Sequence, residues 1–178
     1  SQFARAQVLD EAWARLDARA GERDTAVRAM QDAVYDEPSE IRAMGARLRY
    51  EDAAGGGPDT SEGLEAVIRR AKAAGLTDED ARCSAALAAR YAFAGDLARA
   101  AEVADALLAL SRKDAIPAAA VDAWQTLAVV RQARGDVGAA LEARRSAASA
   151  AAEAGVKTRE ATLTINVGFA LTTMGAKT

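Results

Sequence analysis

Residues 119–147 have the sequence AAVDAWQTLAVVRQARGDVGAALEARRSA, and this stretch decides the fold that the chain is predicted to adopt. Apolar and small residues recur every three to four positions on both sides of Gly135-Asp136, which is the spacing of an amphipathic helix. A glycine followed by an aspartate between two such segments favours a tight turn. The stretch therefore predicts two helices joined by a very short turn, a helical hairpin.

The composition of the whole chain agrees with a helical protein. The chain has 178 residues, of which 51% are hydrophobic and 28% charged, as is ordinary for a folded globular protein. Aromatic residues make up only 4%, and much of the apolar fraction is alanine, the strongest helix former. We therefore expect an all-α fold.

The hairpin recurs along the chain. Gly95, Gly135 and Gly175 are spaced 40 residues apart, and each follows an apolar segment with helical periodicity. This spacing predicts a single domain built of repeated hairpins, with the last one incomplete. The predicted repeats cover residues 5–37, 39–75, 77–111, 117–155 and 158–178.

Several residues are predicted to begin helices. Ser39 and Thr158 each carry a side-chain oxygen that can cap a helix N-terminus. Asp59 and Glu62 have the spacing of a capping box, and Pro117 suits the first turn of a helix because its missing N–H is not needed there.

The spacing within the hairpins resembles the tetratricopeptide repeat family. Its pattern of large and small packing residues is matched in the 119–147 stretch by Trp124, Leu127, Gly135, Ala140 and Ala147. Ala128 stands where the family usually has glycine. The resemblance covers essentially the whole chain and implies a right-handed α-solenoid of about four antiparallel hairpins plus one unpaired C-terminal helix.

In such arrays the first helix of each hairpin lines a concave groove, so the resemblance also implies a binding surface. The partner-binding residues predicted on this basis are Arg49, Arg82, Ala85, Ala89, Phe93, Asp122, Gln125, Val129, Gln132 and Phe169. In one interpretation the alanines leave room for a ligand, while Phe93, Val129 and Phe169 provide apolar contacts. In the other, the alanines reflect close helix packing, Phe93 belongs to the core, and a following helix would cover Ile165 and Phe169.

No pattern in the sequence indicates catalysis, a cofactor or a metal site. There is no histidine, and Cys83 is the only cysteine, so a nucleophile with a neighbouring imidazole base is excluded. The glycines at 55–57 lack the lysine of a phosphate-binding loop and predict a turn. We expect a protein that is not an enzyme, with Cys83 in a structural role and Trp124 packed between helices.

The charge balance of the chain indicates which kinds of partner it would attract. With 23 basic and 26 acidic residues, the formal net charge of −3 gives no general attraction to nucleic acid or to anionic membranes. The chain begins with Ser1 in a segment with helical periodicity, and its alanine and arginine usage is typical of GC-rich genomes. We expect a fragment of a longer bacterial, cytoplasmic protein whose incomplete last repeat promotes self-association.

Two functions are compatible with this sequence. The first is a non-catalytic protein-interaction module, the scaffold or regulatory segment of a larger protein, which binds a protein or peptide in its groove. The alternative is a ligand- or peptide-sensing domain attached to a signalling kinase, ATPase or transcription regulator.

Overall fold

The computed structural model describes residues 37–57 and 59–175, and this part of the chain is built of helices without any strand. The all-α prediction is confirmed for these residues. The predicted hairpin at 5–37 lies outside them, except for Glu37. The helices are α1 (Glu37–Ala53), α2 (Thr60–Ala73), α3 (Thr77–Phe93), α4 (Leu97–Asp114), α5 (Pro117–Ala133), α6 (Val137–Glu153) and α7 (Lys157–Gly175).

The described residues up to Cys83 form one compact unit, in which α1 and α2 pack against each other. Arg70 near the end of α2 bonds to Glu40 in the first turn of α1 at 3.0 Å, so the two helices run antiparallel. Gly63 lets them approach closely, because a β-carbon there would lie 2.9 Å from a methyl carbon of Leu48. Ile41 is among the fully buried side chains of this unit.

The described residues from Ser84 onward form a second compact unit, in which α4, α5, α6 and α7 each pack on the next. Arg134, after α5, donates to the carbonyl oxygen of Leu97 at the start of α4 at 3.1 Å. This bond joins corresponding ends of two consecutive hairpins. The packing of consecutive helices is consistent with a helical repeat.

The core of the second unit joins α5, α6 and α7. Val121, Ala147, Ala151 and Leu163 form one buried cluster, and Trp124 packs against it while remaining partly exposed. Alanines bury little area each, but they let helices pack closely. The prediction that Trp124 packs between helices is confirmed for the part of its side chain that meets this cluster.

The turns between helices follow a finer spacing than the predicted 40 residues. In the described part of the chain, residues with positive φ occur at every twentieth position from 55 to 155 and also at Gly56, and all are glycine except Ala115, whose φ is 54°. Gly135, for example, has a φ of 82° with no atom near the position of a β-carbon. Glycine is favoured at these positions because a side chain destabilises left-handed backbone.

The predicted helix starts are partly wrong. Ser39 and Thr158 lie inside α1 and α7, which already include the residues before them, so neither is a cap. Asp59 is the residue before α2, but its side chain makes no capping hydrogen bond. Pro117 is the first residue of α5, as predicted.

The side chains that do cap helices lie next to two of the turn glycines. Asp96 accepts a hydrogen bond from the backbone N–H of Arg99 at 3.1 Å, and Asp136 accepts one from Ala139 at 2.9 Å. An aspartate directly after the turn glycine is therefore the capping device of α4 and α6.

Candidate functional site

Four predicted groove residues lie along one face of α5. We call Asp122, Gln125, Val129 and Gln132 the α5 stripe. Val129 is 44% exposed, whereas its neighbour Val130 is 1% exposed and belongs to the core. The helix thus separates a buried face from an accessible one at the positions where the sequence predicted a surface.

The polar residues of the α5 stripe are already bonded within the chain. Arg159 of α7 donates to the Asp122 carboxylate and, at 2.8 Å, to the side-chain oxygen of Gln125. Arg144 of α6 donates to the side-chain oxygen of Gln132. A partner on this face could therefore pack directly against the exposed side chain of Val129. To bond to the polar side chains of the stripe, it would have to compete with Arg159 and Arg144.

On α3, Ala85 and Ala89 are half-buried and Phe93 is 88% exposed. The interpretation of Phe93 as a core residue is therefore wrong. On α7, Ile165 is 70% exposed. The side chain of Phe169 lies outside the described part of the chain, so its predicted contact stays a prediction.

The two predicted groove residues of the first unit have different surroundings. Arg82 is exposed. The guanidinium of Arg49 bonds to the carboxylate of Glu79 and donates to the sulfur of Cys83 at 3.2 Å. The charge of Arg49 is therefore balanced within the chain.

Glu79, Arg49 and Cys83 form a cluster that is largely withdrawn from solvent. Glu79 is 2% exposed, and the Cys83 thiol lies 3.4 Å from one of its carboxylate oxygens. Burial, together with the negative charge of Glu79, raises the pKa of Cys83 to about 12. The thiol is protonated at neutral pH and is a poor nucleophile, which favours the structural role predicted for it.

Two partly exposed carboxyl groups have lowered pKa values because arginines bond to them. The pKa of Glu40 is lowered by its hydrogen bonds from Arg70, and the pKa of Asp96 by hydrogen bonds from the backbone and side chain of Arg99. Both belong to helix-end contacts. Neither points to proton-transfer chemistry.

A cleft that no sequence pattern predicted lies between α4, α5 and α6. It has a volume of about 580 Å³, and Leu108, Pro117, Trp124 and Ala150 contribute its apolar wall. We call it the Trp124 cleft. One feature of the sequence marks this place: position 115 is an alanine, whereas the other turns at this twenty-residue spacing have a glycine.

Polar side chains also line the Trp124 cleft. Ser111 donates to the carbonyl oxygen of Ile116 at 2.7 Å, and Ser146 donates to that of Glu142 at 3.1 Å, so both hydroxyl protons are used. Arg112 and Glu153 are exposed charged residues of the lining. The cleft therefore combines an apolar wall with one positive and one negative group.

Within residues 37–57 and 59–175, no group of three or more acidic or cysteine side chains is arranged to hold a metal ion. None of the helices described there is long and apolar enough to cross a membrane. No family model matches the sequence, and no curated protein matches it significantly.

Proposed function

We propose that the chain is a non-catalytic protein-interaction module of the tetratricopeptide-like kind, a scaffold or regulatory segment of a larger bacterial protein. The first helices of its hairpins present the binding surface. The spacing of the turns and the packing of consecutive helices support a repeat architecture, and an array of this kind acts through an extended surface.

The distribution of exposed apolar side chains carries this proposal. Five large apolar residues are exposed in the described part of the chain. Two of them, Phe93 on α3 and Val129 on α5, are predicted groove residues, and a third, Ile165, lies on α7. Exposed apolar residues on alternate helices of the array favour a partner surface over random scatter.

The chemistry of these positions indicates how a partner would bind. Val129 and Phe93 offer apolar area that loses water on contact, and this area would supply most of the affinity. The polar groups at the two ends of the α5 stripe are held by Arg159 and Arg144. They would select the orientation of a partner, because a bound peptide must replace or extend those hydrogen bonds.

A matched pair of valines tests the proposal. Val129 in the α5 stripe and Val137 at the start of α6 are 44% and 46% exposed, so glutamate at either position places a similar charge in similar solvent exposure. Peptides are selected from a random phage-displayed library against the unmodified chain. Their affinities are then measured for Val129→Glu, Val137→Glu and Phe93→Ala, with circular dichroism as the folding control.

We expect selected peptides to bind Val129→Glu and Phe93→Ala at least tenfold more weakly, and to bind Val137→Glu as tightly as the unmodified chain. The proposal is wrong if the library yields no binder, or if the binders do not distinguish the two valine variants.

The Trp124 cleft favours a second candidate, a sensing domain attached to a kinase, ATPase or transcription regulator. Its volume of about 580 Å³ lies within the range of roughly 300–1,000 Å³ that is usual for small-molecule sites. A ligand in it would contact three helices at once, α4, α5 and α6. Such a ligand would stabilise their mutual arrangement and could thereby be reported to a neighbouring domain.

A further inference from the structure

The turn between α4 and α5 departs from the pattern of the other turns. Ala115 has a φ of 54° where the corresponding residues before and after it, at positions 75, 95, 135 and 155, are glycines. A β-carbon is disfavoured in this left-handed conformation, so the chain adopts strained backbone at this one turn. Strained backbone that the surrounding structure maintains is concentrated at binding sites.

The surrounding structure does maintain this turn. The hydroxyl of Ser111 donates to the carbonyl oxygen of Ile116 at 2.7 Å, and the backbone N–H of Ile116 donates back to the carbonyl oxygen of Ser111 at 3.0 Å. At the corresponding positions in α2 and α6, 40 residues away, Ala71 and Ala151 have no hydroxyl. Ser111 is therefore particular to the strained turn.

The strained turn forms one edge of the Trp124 cleft. Ala115 and Pro117 line the cleft together with Leu108, Trp124 and Ala150. With alanine in place of glycine, a methyl group is present where the other turns have none. The departure from the repeat pattern thus adds a methyl group to the lining of the cleft.

The charged groups of the cleft are available to a ligand. Arg112 lies in the last turn of α4 and Glu153 is the last residue of α6, and both are exposed. Neither forms an ion pair with a residue in the described part of the chain; Glu153 only accepts a hydrogen bond from Ser149 at 3.4 Å. Opposite charges beside an apolar wall complement a molecule that itself carries both charges and an apolar group.

We propose that the Trp124 cleft binds a zwitterion with a large apolar side chain, either a free amino acid or a short peptide. The ligand carboxylate pairs with Arg112, its ammonium group pairs with Glu153, and its side chain packs against Trp124 and the Ala115 methyl group. This assigns a ligand class to the sensing function proposed above and rests on that function only for its biological use. It is independent of partner binding at the α5 stripe.

Calorimetric titration of the full chain tests the charge pairing. Phenylalanine is compared with N-acetylphenylalanine, which lacks the ammonium charge, and with phenylalaninamide, which lacks the carboxylate. A phenylalanyl-phenylalanine dipeptide distinguishes a peptide source from a free amino acid. We expect phenylalanine or the dipeptide to bind, and each compound that lacks one charge to bind about tenfold more weakly.

Charge variants of the cleft connect each ligand group to its residue. Arg112→Gln should weaken phenylalanine binding about tenfold and leave the binding of phenylalaninamide, which has no carboxylate, unchanged. Glu153→Gln should also weaken phenylalanine binding about tenfold but leave the binding of N-acetylphenylalanine, which has no ammonium group, unchanged. Arg145→Gln is the control, because Arg145 is exposed on α6 and does not line the cleft.

Two further variants test the apolar contacts. Trp124→Leu should abolish binding while Trp124→Phe retains it, and Ala115→Gly should weaken binding severalfold although it relieves the strained turn. The sequence has two tryptophans, so a Trp13→Phe background leaves Trp124 as the only one, and its fluorescence should change on binding.

The proposal is overturned if no zwitterion with a large apolar side chain binds at millimolar concentration. It is also overturned if binding is the same in Arg112→Gln and Glu153→Gln as in the unmodified chain. The peptides selected from the phage library test the α5 stripe separately. If they bind Val129→Glu more weakly but bind Trp124→Leu normally, the α5 stripe functions whether or not the cleft binds a zwitterion.

Discussion

Gly45 of α1 lies directly against the carboxylate of Glu79 in α3, so closely that a β-carbon at position 45 would overlap a Glu79 oxygen. The same β-carbon would stand 2.9 Å from the sulfur of Cys83. Glu79 cannot move aside freely, because it is buried and paired with Arg49. The absence of a side chain at position 45 therefore makes room for a buried ion pair.

Gly45→Ala should destabilise the chain by about 2 kcal/mol, since the overlap with Glu79 outweighs the higher helix propensity of alanine. Gly138→Ala in α6 is the matched control, because its nearest atom outside the helix backbone is 3.9 Å away. That variant should stabilise the chain by up to about 1 kcal/mol. Urea unfolding followed by circular dichroism measures both, and equal effects would contradict the packing argument.

Arg49→Met should lower the free energy of unfolding by about 3 kcal/mol, because it leaves the Glu79 carboxylate buried without its partner. Removing both charges, in Arg49→Met with Glu79→Met, should recover most of this loss. Arg145→Met removes an exposed pair with Glu142 and should cost about 0.5 kcal/mol or less. A double variant as unstable as Arg49→Met would show that the pairing is not the cause.

Cys83 should make stability fall at high pH. Its pKa in the folded chain is about 12, against a usual value of 9.0, so between these pH values the unfolded chain loses the thiol proton while the folded chain keeps it. Stability then decreases with a slope that starts near pH 9 and reaches about 1.4 kcal/mol per pH unit above it. Urea midpoints from pH 7 to 10.5 should fall more steeply for the unmodified chain than for Cys83→Ala; parallel curves would refute the buried thiol.

The turn residues should respond to substitution in opposite directions. Gly135→Ala places a β-carbon on left-handed backbone without any new contact and should destabilise the chain by about 1 kcal/mol. Ala115→Gly removes the same strain and should stabilise it by about 0.5 kcal/mol, after the greater entropy of glycine in the unfolded chain is subtracted. Thermal unfolding of the two variants checks the signs, and a destabilised Ala115→Gly would contradict the strain.

The ion pair between Arg159 and Asp122 should have a small coupling energy, because the two side chains are 37% and 34% exposed. A double-mutant cycle with Arg159→Ala and Asp122→Ala is expected to give about 0.5–1 kcal/mol. In about 1 M salt, where the screening length falls to roughly 3 Å, the coupling should diminish. A coupling above about 2 kcal/mol that is insensitive to salt would mean that the pair is effectively buried.

The candidate surfaces could be predicted only in part from sequence. The resemblance to the tetratricopeptide repeat implied that Val129 and Phe93 line a groove, and both are exposed, whereas the alternative interpretation placed Phe93 in the core. It could not show that Arg159 reaches Asp122 across 37 residues, or that Arg49 bonds to Glu79. Arginine side chains are long, so the group they meet depends on how neighbouring helices are rotated and spaced.

The sequence by itself determined the helices, the short turns and their regular spacing in this protein. These are local properties: an apolar residue every third or fourth position favours a helix, and a left-handed turn such as that at Gly135 favours glycine. Only the tertiary structure decided which arginines are paired, that Glu79 occupies the space where a side chain at position 45 would lie, and where the Trp124 cleft lies. Those features depend on distances between residues far apart in the chain, which helical periodicity does not specify.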